Sequence, residues 1–231
     1  MKVMILAAGR GERLRPLTDA VPKPLLEAAG KPLLAWHLER LARAGFRSAV
    51  INVSHLAESI VARFGDGEGY GLEIAWSREA QPLETAGGIA QARALLGPAP
   101  FLLVNADIHC DYDFARLRRH ELGNRLAHLV LVPNPPHRAG GDFSLEAGAI
   151  GNDGAPRYTY AGIAVLAPAL LAAIGAGEKA SYVPLLRAAA PKGQVSGELF
   201  EGHWCDAGTP ERLAALDRML RGRAEGKGDE T

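Results

Sequence analysis

The chain has little of what marks several large protein classes. Only two of its 231 residues are cysteines, Cys110 and Cys205, and there is no C-x-x-C. Two are too few for a disulfide framework, so a reduced, cytoplasmic protein is expected. There is no charge of one sign in excess: 26 Lys+Arg stand against 26 Asp+Glu. That excludes a general nucleic-acid or membrane-surface binder, and any anion must be held by a local pocket. No apolar run approaches the ~18 residues of a membrane span, and residues 3–8, before Arg10, are too short for a signal core. His55, His109, His128 and His203 fall at no zinc-ligand spacing. There is no G-x-S-x-G nucleophile elbow.

What is present begins at the first residues. An apolar strand over residues 3–6 runs into a loop holding Gly9 and Gly11, followed by Arg13, Arg15 and Lys23. Glycine lets such a loop turn its backbone N–H groups toward an anion, and the basic side chains add charge. The loop lacks the third glycine of G-x-G-x-x-G and the G-K-[ST] ending, so it is neither a dinucleotide fingerprint nor a Walker loop. Taken alone it reads equally as a tight turn.

The length, with 48% hydrophobic and 23% charged residues, suits a single soluble α/β domain over residues 1–222 with a flexible tail over 223–231. Strand-like runs at 3–6, 49–53, 72–76 and 101–104 alternate with helical patterns at 32–44, 55–64 and 88–96. Ser54 is the expected cap of the second helix. This alternation predicts a mostly parallel, Rossmann-like sheet flanked by helices, with ligands at the carboxyl ends of its strands. Beyond it the chain is β-rich. Strands are expected at 127–132 and 160–166, a hairpin at 142–150 and a strand pair at 195–199 and 202–206. Thr209 is expected to cap a final helix over 210–221.

Two aspartates follow apolar strands: Asp107 in L-L-V-N-A-D and Asp206 in H-W-C-D-A-G-T. Either alone reads equally as a turn residue. Lys23 lies between Pro22 and Pro24, which restrict its backbone; alone it reads as a solvated loop lysine. In Gln81-Pro-Leu-Glu84-Thr-Ala-Gly87-Gly88, paired glycines open a helix.

The string G-x-G-x-R-L-x-P-L-T followed by P-K-P resembles the signature of the sugar-1-phosphate nucleotidyltransferases. The resemblance implies a nucleotidyltransferase fold with a sugar-binding second half, and Mg²⁺-dependent transfer from a nucleoside triphosphate to a sugar 1-phosphate with pyrophosphate release. It assigns Asp107 and Asp206 to Mg²⁺, Lys23 to the α-phosphate or the sugar phosphate, and Arg13 to the departing β/γ-phosphates. Ala8, Gly9, Gly11, Glu12, Arg13, Lys23, Gln81, Gly88 and Asn105 fall on the nucleotide side. There Gln81 would meet the base edge, and Gly88 would let the base lie close. Gly141 and Gly162 fall on the sugar side. Gln81 and Glu84 depart from the related E-P-L-G-T-A-G, and the Glu-Lys-Pro string of many relatives is missing. Arg157 or Asp153 is the substitute in reach, against a plain turn cluster.

Within the superfamily, L-E-T-A-G-G-I, P-F-L-L-V-N-A-D, A-H-L-V-L-V-P-N-P and G-H-W-C-D-A-G-T-P-E-R-L look like the bacterial N-acetylmuramate α-1-phosphate uridylyltransferases. These form UDP-N-acetylmuramate from UTP in cell-wall sugar recycling. The alternatives are a mannose-1-phosphate guanylyltransferase and a non-catalytic nucleotide-sugar-binding regulator on the same fold.

Overall fold

Side chains along a strand point alternately to its two faces, so a strand covered on both sides must be apolar at every position. The runs Val3–Leu6, Ser48–Val53 and Phe101–Asn105 meet that requirement except at Ser48, Asn52 and Asn105. In the computed structural model, which describes residues 1–225, each divides between two cores. Val3, Ile5, Ala49, Ile51, Leu102 and Val104 face one core. Met4, Val50, Phe101 and Leu103 face the other.

Among the described residues, nine strands form one sheet. Its spatial order is Glu73–Arg78, Ser48–Val53, Val3–Leu6, Phe101–Asn105, Arg157–Leu166, Ala127–Val132, Val195–Leu199, Ala149–Gly151 and Phe143–Glu146. The first four are mutually parallel. From there the sheet is mixed. Arg157–Leu166 runs antiparallel to both its long neighbours, while Val195–Leu199 runs parallel to Ala127–Val132. Parallel neighbours need a crossover, usually a helix. Between Ala127–Val132 and Arg157–Leu166 lie only one 3-10 turn and a hairpin.

The helices form where apolar spacing and end signals agree. Leu33–Arg43 buries Leu34, Leu38 and Leu41 on one face, and Gly45 closes it at φ 87°. Pro210–Glu225 starts behind Thr209, whose Oγ1 accepts from Arg212 N at 3.4 Å. This helix extends past the expected end at 221. Of the expected flexible tail, 223–225 are helical and 226–231 lie outside the described residues.

Three further expectations are corrected. The second helix is Ala57–Phe64, capped at Leu56 rather than Ser54, with no side-chain cap bond. The helix expected at 88–96 starts four residues earlier, as Glu84–Gln91 followed by Arg93–Leu96. Its interior glycines carry a packing role that outweighs their poor helix propensity: a Cβ at Gly87 would stand 2.1 Å from the Glu178 carbonyl oxygen. Finally, 195–199 and 202–206 do not pair. Trp204–Asp206 instead joins Ile108–Cys110 in a separate antiparallel ribbon, with Asp206 opposite Ile108. Periodicity marks a strand and leaves its partner open.

A third apolar cluster joins the two ends of the described chain. Leu14, Leu26 and Leu33 pack against Ala207, Leu213, Leu216 and Leu220, and Ala29 N donates to Asp217 Oδ1 at 2.8 Å.

Candidate active site

Two cavities open at the carboxyl ends of the parallel strands, of about 680 and 240 Å³. Arg13, Asn105 and Asp107 line both. Ala8, Gly9, Gly11, Glu12 and Lys23 line the larger one, and Gly162 and Asp206 the smaller.

The loop after the first strand is shaped by its own bonds. Gly11 sits at φ 68°, where a Cβ would lie 2.9 Å from Thr18 Cγ2. Thr18 Oγ1 donates to the Gly11 carbonyl at 2.9 Å. Leu14, fully buried, anchors the following turn. Arg13 is thereby aimed at the lip between the cavities. Arg15 points away and pairs with Asp19 at 3.2 Å.

Lys23 Nζ donates to Asp107 Oδ2 at 2.6 Å. Burial alone would raise the Asp107 carboxyl, but the Lys23 ammonium, with Arg13 beyond it, holds it below its ordinary value. Asp206 comes alongside through the ribbon, where Ala207 N donates to the Asp107 carbonyl at 2.8 Å. Its Oδ1 lies 2.7 Å from Arg212 Nε and its Oδ2 3.3 Å from His137 Nε2. Gly208 leaves room for this: a Cβ there would meet Arg212 Nη2 at 2.5 Å and Arg13 Nη2 at 3.1 Å.

Two groups that the motifs do not mark support the larger cavity. Asn52 Oδ1 accepts from Ala7 N at 2.8 Å, and its Nδ2 donates to Glu79 Oε1 at 2.7 Å. Glu79 Oε2 accepts from Leu83 N at 2.9 Å. Burial raises the Glu79 carboxyl despite these bonds. The one signal for Asn52 in the sequence is a polar residue inside the apolar run 49–53.

Gln81, Gly88 and Gly141 line neither cavity. Gln81 borders a shallow recess with Arg10 and Lys179, while Pro82, Glu84 and Thr85 face the larger cavity. The space over Gly88 is taken by Asn52 and Glu79, each 2.6 Å from where a Cβ would be, so it is closed to a base. Gly141, at φ 61°, packs on the backbone of Arg157 and Tyr158. Its neighbour Asp142 reaches the smaller cavity and accepts from Tyr160 N at 2.9 Å. Arg157 is spent on the carbonyls of Gly140, Asn152 and Asp142, and the Asp153 carbonyl accepts from Ser144. Residues 152–156, between the strands Ala149–Gly151 and Arg157–Leu166, are thus a turn cluster and do not replace the missing string.

Gly162, at φ 76°, lies where Arg157–Leu166 bulges between Tyr160 and Ile163. A Cβ there would come within 2.8 Å of Asn105 Nδ2. Asn105 Oδ1 is buried and has no hydrogen-bond partner among the described residues. The donor set Asp107, Asp206 and this free amide oxygen is all oxygen, with two carboxylates. That fits Mg²⁺, which commonly takes one or two protein carboxylates and leaves the remaining positions to phosphates and water.

Comparison with known proteins agrees with this geometry. Residues 2–141 match the family Nucleotidyl transferase. An N-acetylmuramate alpha-1-phosphate uridylyltransferase of Neisseria meningitidis is 50% identical over 92% of this chain and 95% of its own. The catalytic subunit beta of a Danio rerio mannose-1-phosphate guanylyltransferase is 32% identical over 91% of this chain and 62% of its own. The fold matches a Bacillus anthracis protein assigned as a glucose-1-phosphate thymidylyltransferase, with TM-score 0.83, 19% identity and coverage of 96% and 95%. It also matches a UDP-glucose pyrophosphorylase complexed with UDP-glucose, with TM-score 0.78, 18% identity and coverage of 96% and 98%. With the fold, the glycine loop and the family match all in agreement, the chain belongs to the nucleotidyl transferase family.

Proposed function

We propose that this chain transfers the uridylyl group of UTP to N-acetylmuramate α-1-phosphate, giving UDP-N-acetylmuramate and pyrophosphate. The observation that carries the reading is the 50% identity to the Neisseria enzyme, sustained over nearly the whole of both chains. A place in the cytoplasm and in cell-wall sugar recycling goes with it.

The nucleoside triphosphate occupies the larger cavity and the sugar the smaller one. Reaction takes place at the lip they share. An oxygen of the sugar phosphate attacks the α-phosphorus, the α–β phosphoanhydride breaks, and pyrophosphate leaves with the electron pair. Both reactants are anions, so catalysis is mainly positioning and charge neutralisation. Arg13 takes the β/γ-phosphates and offsets the charge gathering on pyrophosphate. Lys23, placed by its two prolines, takes the α-phosphate. Asn52 and Glu79 keep the backbone of Ala7 and Leu83 in place at the cavity wall. Asp107 and Asp206 would hold Mg²⁺, which when bound supplies further positive charge at the phosphates.

Pyrophosphate release tests the reading, with UTP and GTP crossed against N-acetylmuramate 1-phosphate, glucose 1-phosphate and mannose 1-phosphate. Release is expected with UTP and N-acetylmuramate 1-phosphate. Release confined to GTP and mannose 1-phosphate would move the chain to the guanylyltransferase branch.

A further inference from the structure

Three arginines and three aspartates line the smaller cavity, and they are not paired one to one. Each acid lining it has a cation beside it: Lys23 on Asp107, Arg138 on Asp142 at 3.1 Å, and Arg212 on Asp206. Arg187 also lines this cavity, and its guanidinium has no acidic or hydrogen-bonding partner among the described residues. It lies on the helix Val183–Ala189, one turn after Val183 on the same cavity wall. Its backbone carbonyl accepts from Asn152 Nδ2 at 2.7 Å, which ties this turn of the helix to the 152–156 turn.

The reacting phosphates need cations at the lip, where Arg13 and Lys23 already stand. Arg187 lines the smaller cavity alone, on the sugar side. A neutral sugar ring gives a guanidinium there no opposite charge. A carboxylate does, and the planar guanidinium fork matches it with two parallel N–H···O bonds. Arg138 is less suited, because Asp142 already offsets its charge. N-acetylmuramate carries such a carboxylate on its lactyl ether; glucose, mannose and N-acetylglucosamine do not.

We infer that Arg187 is a specificity-determining residue that pairs with a carboxylate on the sugar of the sugar 1-phosphate. The inference rests on the function proposed above and names the residue that selects its substrate.

The test is the ratio of kcat/KM for N-acetylmuramate 1-phosphate over N-acetylglucosamine 1-phosphate, with UTP and Mg²⁺. The two sugars differ only by the lactyl group. Arg187→Ala and the polar, uncharged but shorter Arg187→Gln should each lower the ratio about ten-fold, mostly through KM for the carboxylated sugar, as expected for one charge-assisted pair. Arg187→Lys, which keeps the charge and loses the fork, should fall between them and wild type. If both neutral variants keep the wild-type ratio within about two-fold, the inference is overturned; equal losses on both sugars would mean a phosphate contact instead. Should the wild-type protein turn over neither sugar, or show no preference between them, the functional reading fails, and the inference fails with it.

Discussion

At the scale of single residues, the site depends on charges held close together out of water. Lys23 and Asp107 satisfy one another across 2.6 Å, and neither is well placed without the other. Asp107→Asn and Asp206→Asn should each lower turnover by about 10²–10³-fold while the thermal midpoint stays near wild type. Pyrophosphate release beside a melting curve checks both halves of that statement. Lys23→Ala should reduce kcat more than stability, since Asp107 is the one side-chain partner of the lysine among the described residues. If the variant loses its fold instead, Lys23 is structural. Arg13, Lys23, Asp107 and Asp206 were legible in the sequence because motif spacing brought them forward. Asn52 and Glu79 were not. Asn52 is a polar residue inside an apolar strand and Glu79 follows the polar pair Ser77-Arg78, and the meaning of each lies in the partner 27 positions away. The placement of Gln81 and Gly88 outside the two cavities was not legible, because backbone direction decides which side chain of such a segment faces the cavity.

At the scale of elements, the helix Glu84–Gln91 and the segment 178–181 form one wall. Ala86 N and Gly87 N both donate to the Ala180 carbonyl, at 2.8 and 3.1 Å, and Tyr182 N donates to Thr85 Oγ1 at 3.0 Å. A methyl group at Gly87 would strike the Glu178 carbonyl oxygen. Gly87→Ala should therefore cost roughly 1–3 kcal/mol and raise KM for the nucleotide, as the wall that carries Glu84, Thr85 and Ser181 is pushed outward. A denaturant titration and a UTP saturation curve read the two effects separately. The parallel half of the sheet was legible because βαβ alternation leaves few choices of topology. The mixed half was not. Short strands without crossover helices pair according to loop length and direction, and hydrophobic period records neither. The ribbon that brings Asp206 to Asp107 is the clearest case. Only the strand at 202–206 was visible in the sequence, and nothing local in it says that it meets Ile108–Cys110.

At the scale of the whole molecule, burial of histidine links stability to pH. His37, His109 and His128 are 2%, 6% and 7% exposed, and burial is the largest influence lowering each from 6.5 to about 4. In the unfolded chain they take up protons near pH 6.5; in the folded one they resist until about pH 4. The unfolded state then binds more protons across that window, so stability falls as pH drops through it. Each group contributes a slope of up to about 1.4 kcal/mol per pH unit, and the three together up to about 4. The urea midpoint should fall steeply between pH 6.5 and 4.5, and His128→Gln should flatten the fall by about a third. A midpoint independent of pH there would contradict the burial argument. The third apolar cluster has a consequence for synthesis. Leu14, Leu26 and Leu33 leave the ribosome well before Leu213, Leu216 and Leu220, which pack on them. A growing chain can build its central strands while the loop bearing Arg13 still lacks its support. The loop bearing Arg13 is thus supported only once the helix Pro210–Glu225 has been made, and a chain interrupted before it would have most of its sheet without that support.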